Sequence, residues 1–85
     1  MRKDIRTLLS TVHEILPKDF YKWTPVGLGS ILDNKDLRKI VVKAKLVFHT
    51  DKLEEKFKVK EYLFERIFNE INNAFKDYRA NKHNH

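Results

Sequence analysis

Apolar residues recur at helical spacing in three stretches of the chain. Ile5, Leu8, Leu9, Val12, Ile15 and Leu16 share one face of a helix, and the stripe stops at Pro17. Proline lacks the N–H that a continuing helix needs, so this spacing predicts a first helix over about 4–16. Leu37, Ile40, Val41, Ala44, Val47 and Phe48 form a second stripe, with Asp33 or Asn34 in position to cap it. Here the β-branched pair Val41-Val42 lowers helix propensity slightly, but no strand-like alternation competes, and the pattern predicts a helix over about 34–48. The third stretch, about 59–78, has a core side of Tyr62, Leu63, Ile67, Ile71, Ala74, Phe75 and Tyr78, widened by Phe64 and Phe68.

The connections differ in kind. Pro17, Pro25, Gly27 and Gly29 all fall between the first two stripes, which predicts a long irregular segment there. Between the second and third stripes, His49 to Lys58 is long enough for the two helices to lie antiparallel as a hairpin. Leu53 and Phe57 are the residues able to pin that loop back onto the hairpin. Beyond Tyr78 the polar run 79–85 is expected to fray. These elements predict one all-α domain over 1–78, monomeric, with Trp23 and Pro25 closing the core between helices.

Composition narrows the function. At 85 residues the chain holds a single small domain with a thin core, and without cysteine it has neither disulfides nor thiolate metal sites. No apolar run approaches the roughly 20 residues of a spanning helix. Met1-Arg2-Lys3-Asp4 is followed by an amphipathic stretch rather than a secretory signal, so a cytoplasmic setting is expected, with no membrane insertion. The net charge of +6 favours an acidic partner. That charge is concentrated on the second helix, where Lys35, Arg38, Lys39, Lys43 and Lys45 are opposed only by Asp36. The spacing predicts a continuous basic stripe on the side away from Leu37, Ile40 and Ala44. No nucleophile–base constellation, paired-carboxylate site or phosphate-binding glycine loop is present, so no catalytic residue, metal or cofactor is assigned. His13, His83 and His85 are read as polar surface or tail residues.

The basic helix runs into Lys45-Leu46-Val47-Phe48-His49-Thr50-Asp51-Lys52. This resembles the J-domain, whose defining loop reads His-Pro-Asp. Three further segments resemble the auxilin branch of that family: Ile5 to His13, its extra N-terminal helix; Lys22-Trp23-Thr24-Pro25-Val26-Gly27-Leu28, its loop; and Ile67 to Phe75, its final helix. The resemblance runs from about Asp4 to Tyr78, with the segments in order.

The resemblance implies an activator of a partner ATPase, not an enzyme. It would dock on a seventy-kilodalton heat-shock chaperone and stimulate ATP hydrolysis, with Arg38, Lys39 and Lys43 on the docking helix and His49 and Asp51 in the loop. Lys45 extends the basic surface, and Lys52 matches the basic residue that commonly follows the tripeptide. Auxilins deliver the chaperone to clathrin coats, which implies clathrin-binding segments elsewhere in a longer protein whose C-terminal part this is. That would put the protein at clathrin-coated vesicles.

The chain departs from the family at Thr50, where proline is usual, at Val41, where tyrosine is common, and at Val42, where a basic residue is usual. The alternative is therefore a degenerate J-like domain that binds or regulates the chaperone without stimulating it. A basic helical nucleic-acid-binding module is a weaker rival, because the loop after the basic helix is far longer than the turn of a helix-turn-helix motif and no aromatics interleave with the basic residues.

Overall fold

The structure, a computed structural model, describes residues 4–83. Three α-helices carry it: α1 (Ile5–Thr11), α2 (Asn34–Val47) and α3 (Glu61–His83), joined by short 3₁₀ turns, with no strand among the described residues.

α1 is shorter than the stripe predicts. Asp4 caps its start by accepting from the Thr7 N–H at 2.9 Å. At its other end the Ser10 and Thr11 hydroxyls donate to the Thr7 carbonyl at 3.0 and 2.8 Å, which competes with regular helix hydrogen bonding. The chain tightens into a 3₁₀ turn over Val12–Glu14. Ile5, Leu9 and Val12 reach the core, whereas Ile15, past the end of the regular turns, is 55% exposed.

α2 begins where the sequence allows, with Asp33 as the cap, accepting from the Lys35 N–H at 2.7 Å. Leu37, Val41, Ala44 and Phe48 are buried along it. α2 and α3 are antiparallel: Asn34 meets Tyr78, Lys45 lies over Phe75 and His49 touches Phe68, so residue numbers fall on α3 as they rise on α2.

Two expectations for the third helix change. The segment Glu55–Lys60 is 3₁₀, so Val59 and Lys60 precede the regular helix. The core side is also rotated: Phe64, Ile67, Ile71 and Ala74 are buried, while Tyr62 is 74% exposed. Phe64 sits two residues further along, where the hairpin closes, and takes the place expected for Tyr62. α3 continues to His83, so 79–83 is helical rather than frayed. No proline or glycine interrupts that run, and Arg79 lies over the Phe75 ring at 5.8 Å. His85, read as a tail residue, lies outside the described residues.

The core centres on aromatic rings. Phe48 and Phe64 are fully buried with centroids 6.4 Å apart, and Phe20 approaches Phe64 at 4.9 Å and Phe57 at 5.3 Å. Trp23 packs on Phe48 at 5.2 Å and does close the core, whereas Pro25, expected to share that place, is exposed because the chain has already turned outward two residues beyond the buried indole. Its indole N–H finds no acceptor among the described residues. Leu53 and Phe57 are buried and hold the 49–60 loop against the hairpin. At the far end Arg6 ties α1 to the start of α2, donating to the Ile31 carbonyl at 2.9 Å, the Leu32 carbonyl at 3.1 Å and Asn34 Oδ1 at 3.1 Å. Its guanidinium lies over Tyr78, 5.2 Å from the ring centroid, and the Tyr78 hydroxyl donates to the same Asn34 oxygen.

This packing sets two expectations. Phe64→Ala should cost about 3–5 kcal/mol through lost burial and a residual cavity, whereas Tyr62→Ala should stay within about 0.5 kcal/mol. Urea denaturation would check both, and comparable losses would mean that the helix face is misassigned. The hydrogen bond from the Thr7 N–H holds the Asp4 carboxyl below the usual aspartate range. Its contribution is therefore complete above about pH 4 and is lost as acid protonates the carboxylate below that. Asp4→Ala should cost about 1 kcal/mol near neutral pH, with the gap from the parent chain closing in acid melts. A gap unchanged down to the acid limb would rule out the charged cap.

Candidate functional site

The His49–Lys52 loop is built directly on the core. Phe48, at the C-cap of α2, is fully buried, and its N–H still donates to the Ala44 carbonyl at 2.9 Å. The next residue must therefore leave the protein surface. His49 is extended, with φ −68° and ψ 122°, and Thr50–Lys52 make one 3₁₀ turn closed by Lys52 N–H to the His49 carbonyl at 3.0 Å.

His49 is exposed and yet fixed. Its Nδ1 accepts from the Asp51 N–H at 3.3 Å, and its ring stands edge-on to Phe68 at 5.5 Å. An accepting Nδ1 leaves Nε2 as the ring's donor. One oxygen of the Asp51 carboxylate is 3.7 Å from Nδ1, too long for a hydrogen bond, and the side chain is 85% exposed, so the carboxylate is open to a partner. The turn is tied from below: Lys58 Nζ donates to the Thr50 carbonyl at 3.3 Å, and Lys22 Nζ reaches the Lys52 carbonyl at 3.5 Å and Glu54 at 4.0 Å. The Lys22–Trp23 segment thus supports the loop from a distant part of the sequence.

The loop also answers the question raised by threonine. A residue before proline is restricted to extended conformations near ψ of about +120 to +160°. His49 already has that conformation with Thr50 behind it. Among the described residues, Thr50 enters the loop's hydrogen bonds through its carbonyl, accepting from the Leu53 N–H and from Lys58.

The basic residues of α2 do not form the continuous stripe that was expected. At about 100° per residue, Lys35, Lys39, Val42 and Leu46 make the outermost ridge. Arg38 and Lys45 fall on the flank beside α3, and Lys43 on the other. Val42 is 58% and Leu46 55% exposed, so two apolar side chains interrupt the cationic ridge. Lys45 is half-buried, its Nζ 5.8 Å from the Phe75 centroid. Arg38, Lys39, Lys43 and Lys52 are exposed.

Sequence reasoning missed what α3 adds. Phe68 orients His49, and Asn69, Asn72, Asn73, Lys76 and Arg79 face the Lys45 flank across a shallow cleft. The helical phase of α3 contains that signal once Phe64, rather than Tyr62, is taken as the inward residue. No helix among the described residues is long and apolar enough to cross a membrane, and no group of three or more potential metal ligands comes together there.

Two curated proteins from Arabidopsis thaliana are similar over nearly the whole chain. "Auxilin-like protein 1" is 28% identical over 81 residues, covering 93% of this chain and 6% of that protein. "J domain-containing protein required for chloroplast accumulation response 1" is 32% identical over 79 residues, covering 91% of this chain and 12% of that protein. The chain thus spans 6% and 12% of the lengths of these relatives. No family model matches the chain.

Because His49 is already extended, Thr50→Pro should fit without rearrangement and stabilise the domain by about 0.4–1 kcal/mol by restricting the unfolded chain. Thermal melting should rise by about 4–8 °C per kcal/mol for a domain of this size. A fall in melting temperature would mean that Thr50 holds a backbone conformation or N–H contact that proline cannot reproduce.

Proposed function

This chain is a J-domain of the auxilin type, and from that premise we propose that it docks on a seventy-kilodalton heat-shock chaperone and stimulates its ATP hydrolysis. The observation that carries this reading is the loop: His49 keeps the conformation proline would impose and is fixed by Asp51 and Phe68, despite the threonine at position 50. A fixed, exposed imidazole with a free Nε2 donor, next to a solvent-exposed carboxylate, offers directional hydrogen bonds to a partner without ordering cost at contact. The cations of α2 speed encounter with an acidic face and orient the domain. Neither His49 nor Asp51 acts on a substrate; bound at the partner's switch region, they would favour its hydrolysing state.

A second reading keeps docking and removes stimulation. Val42, exposed where the family usually has a basic residue, favours it by lowering the charge of the docking ridge. The resemblance to auxilins extends the proposal to a client. Delivery of the chaperone to a clathrin coat, at coated vesicles in the cytoplasm, would need coat-binding segments beyond these 85 residues.

Single-turnover ATP hydrolysis by the chaperone, with and without the domain, separates the readings. The parent chain should stimulate, His49→Gln should abolish stimulation with helicity and melting nearly unchanged, and Lys39→Glu should weaken binding most at low salt. Stimulation by Thr50→Pro alone would select the silenced domain. Full stimulation by His49→Gln would remove the loop from the mechanism.

A further inference from the structure

The cationic surface does not end on α2. Where α2 and α3 run side by side, Lys45, Asn69, Asn72, Asn73, Lys76 and Arg79 surround Phe75 in a cleft of about 470 Å³. A second lobe of about 250 Å³ adds Arg38, Val41 and Val42, and shares Lys45, Phe75 and Arg79 with the first. Four cations line the two lobes, and among the described residues no carboxylate does. The acids of this half of α3, Glu70 and Asp77, lie on its other flank by helical phase. The ion pairs Lys22–Glu54 and Lys56–Asp19 are elsewhere in the fold.

The cleft opens from the loop. His49 follows Lys45 by one turn, and its ring contacts Phe68, one turn before Asn72 on α3. A chain segment engaged at His49 would therefore pass along Asn72 and Lys45 toward Phe75, Arg79 and Arg38. Each asparagine amide both donates and accepts, as an extended peptide backbone requires, while the cations match carboxylate side chains.

We propose that this cleft takes an extended acidic peptide segment of the docking partner, so that α3 supplies half of the docking surface; the identity of that partner rests on the chaperone-docking reading above. Nucleic acid is the other polyanion such a surface could meet, but base stacking needs a free aromatic face. Phe75 is stacked on Tyr78, and Lys45 Nζ and Arg79 Cζ each lie 5.8 Å from its centroid, so cations rather than an open ring meet the ligand.

The test uses the double variant Lys76→Glu/Arg79→Glu, both residues exposed, with helicity checked by circular dichroism and Lys76→Gln/Arg79→Gln as a milder second variant. Two probes are titrated at low salt, a fluorescein-labelled hexaglutamate peptide and a labelled oligothymidine, alongside the ATP-bound chaperone. Hexaglutamate affinity should fall about tenfold in the double variant and stay within about twofold in Lys39→Glu, which lies outside the cleft. Chaperone affinity should fall in both. Equal hexaglutamate binding by the parent and double variant, or tighter binding of oligothymidine lost in the same variant, would overturn the proposal. Undiminished chaperone binding by the double variant, with Lys39→Glu weakened, would overturn the cleft's role and leave docking through α2 standing. Cleft-dependent hexaglutamate binding, with chaperone contact indifferent to both His49→Gln and Lys39→Glu, would support the peptide site and sink the docking reading instead.

Discussion

Phe48 ends α2 inside a cage of aromatic rings, and most of the molecule is arranged around that burial. Phe20 and Trp23 reach it from the long segment after α1, Phe64 from the first turns of α3, and Phe57 joins through Phe20 and Phe64. A domain of this size buries a thin core, so a few large rings contribute a large part of its stability. Those rings come from four stretches of chain: the segment after α1, the end of α2, the 49–60 loop and the start of α3. Their packing therefore fixes the hairpin, the return of the loop and the path of the Trp23 segment together.

The same contact creates the site. With Phe48 buried, His49 has to emerge at the end of the hairpin, and the residues that cover the rings also brace the loop. Lys22, beside Trp23, holds the Lys52 carbonyl, and Lys58, beside Phe57, holds the Thr50 carbonyl. Packing and hydrogen bonding thus hold the backbone in a shape that the family usually secures with proline. Proline narrows the choices of the unfolded chain, whereas here the folded neighbours select the conformation.

At the opposite end, Arg6 performs a polar version of this role. It satisfies the Ile31 and Leu32 carbonyls just ahead of α2 and lies over the Tyr78 ring, so α1, α2 and α3 meet at one guanidinium. A planar group with five donors can do this where lysine could not. The hairpin is thus held at one end by buried rings and at the other by Arg6. Exposed acid–base pairs are worth little, and the excess positive charge remains available to a partner.

The one-dimensional pattern was enough to determine three helices, a cap for the second at Asp33 or Asn34, the burial of Leu53 and Phe57, and the His49–Lys52 segment as the place where the hairpin turns. These follow from spacing, capping and turn chemistry, which act between near neighbours. The inward face of α3 was not legible, because Tyr62 and Phe64 both suit an apolar stripe and only the rings of Phe20, Phe48 and Phe57 decide between them. The length of α1 depended on hydroxyls bonding back to Thr7, and the ridge of α2 on its rotation against α3, which set Val42 and Leu46 among the cations. The cleft sets Lys45 on the same surface as Lys76 and Arg79, far apart from it in sequence. Tertiary packing alone could bring their charges onto one surface, because the phase of each helix is chosen by what the other buries.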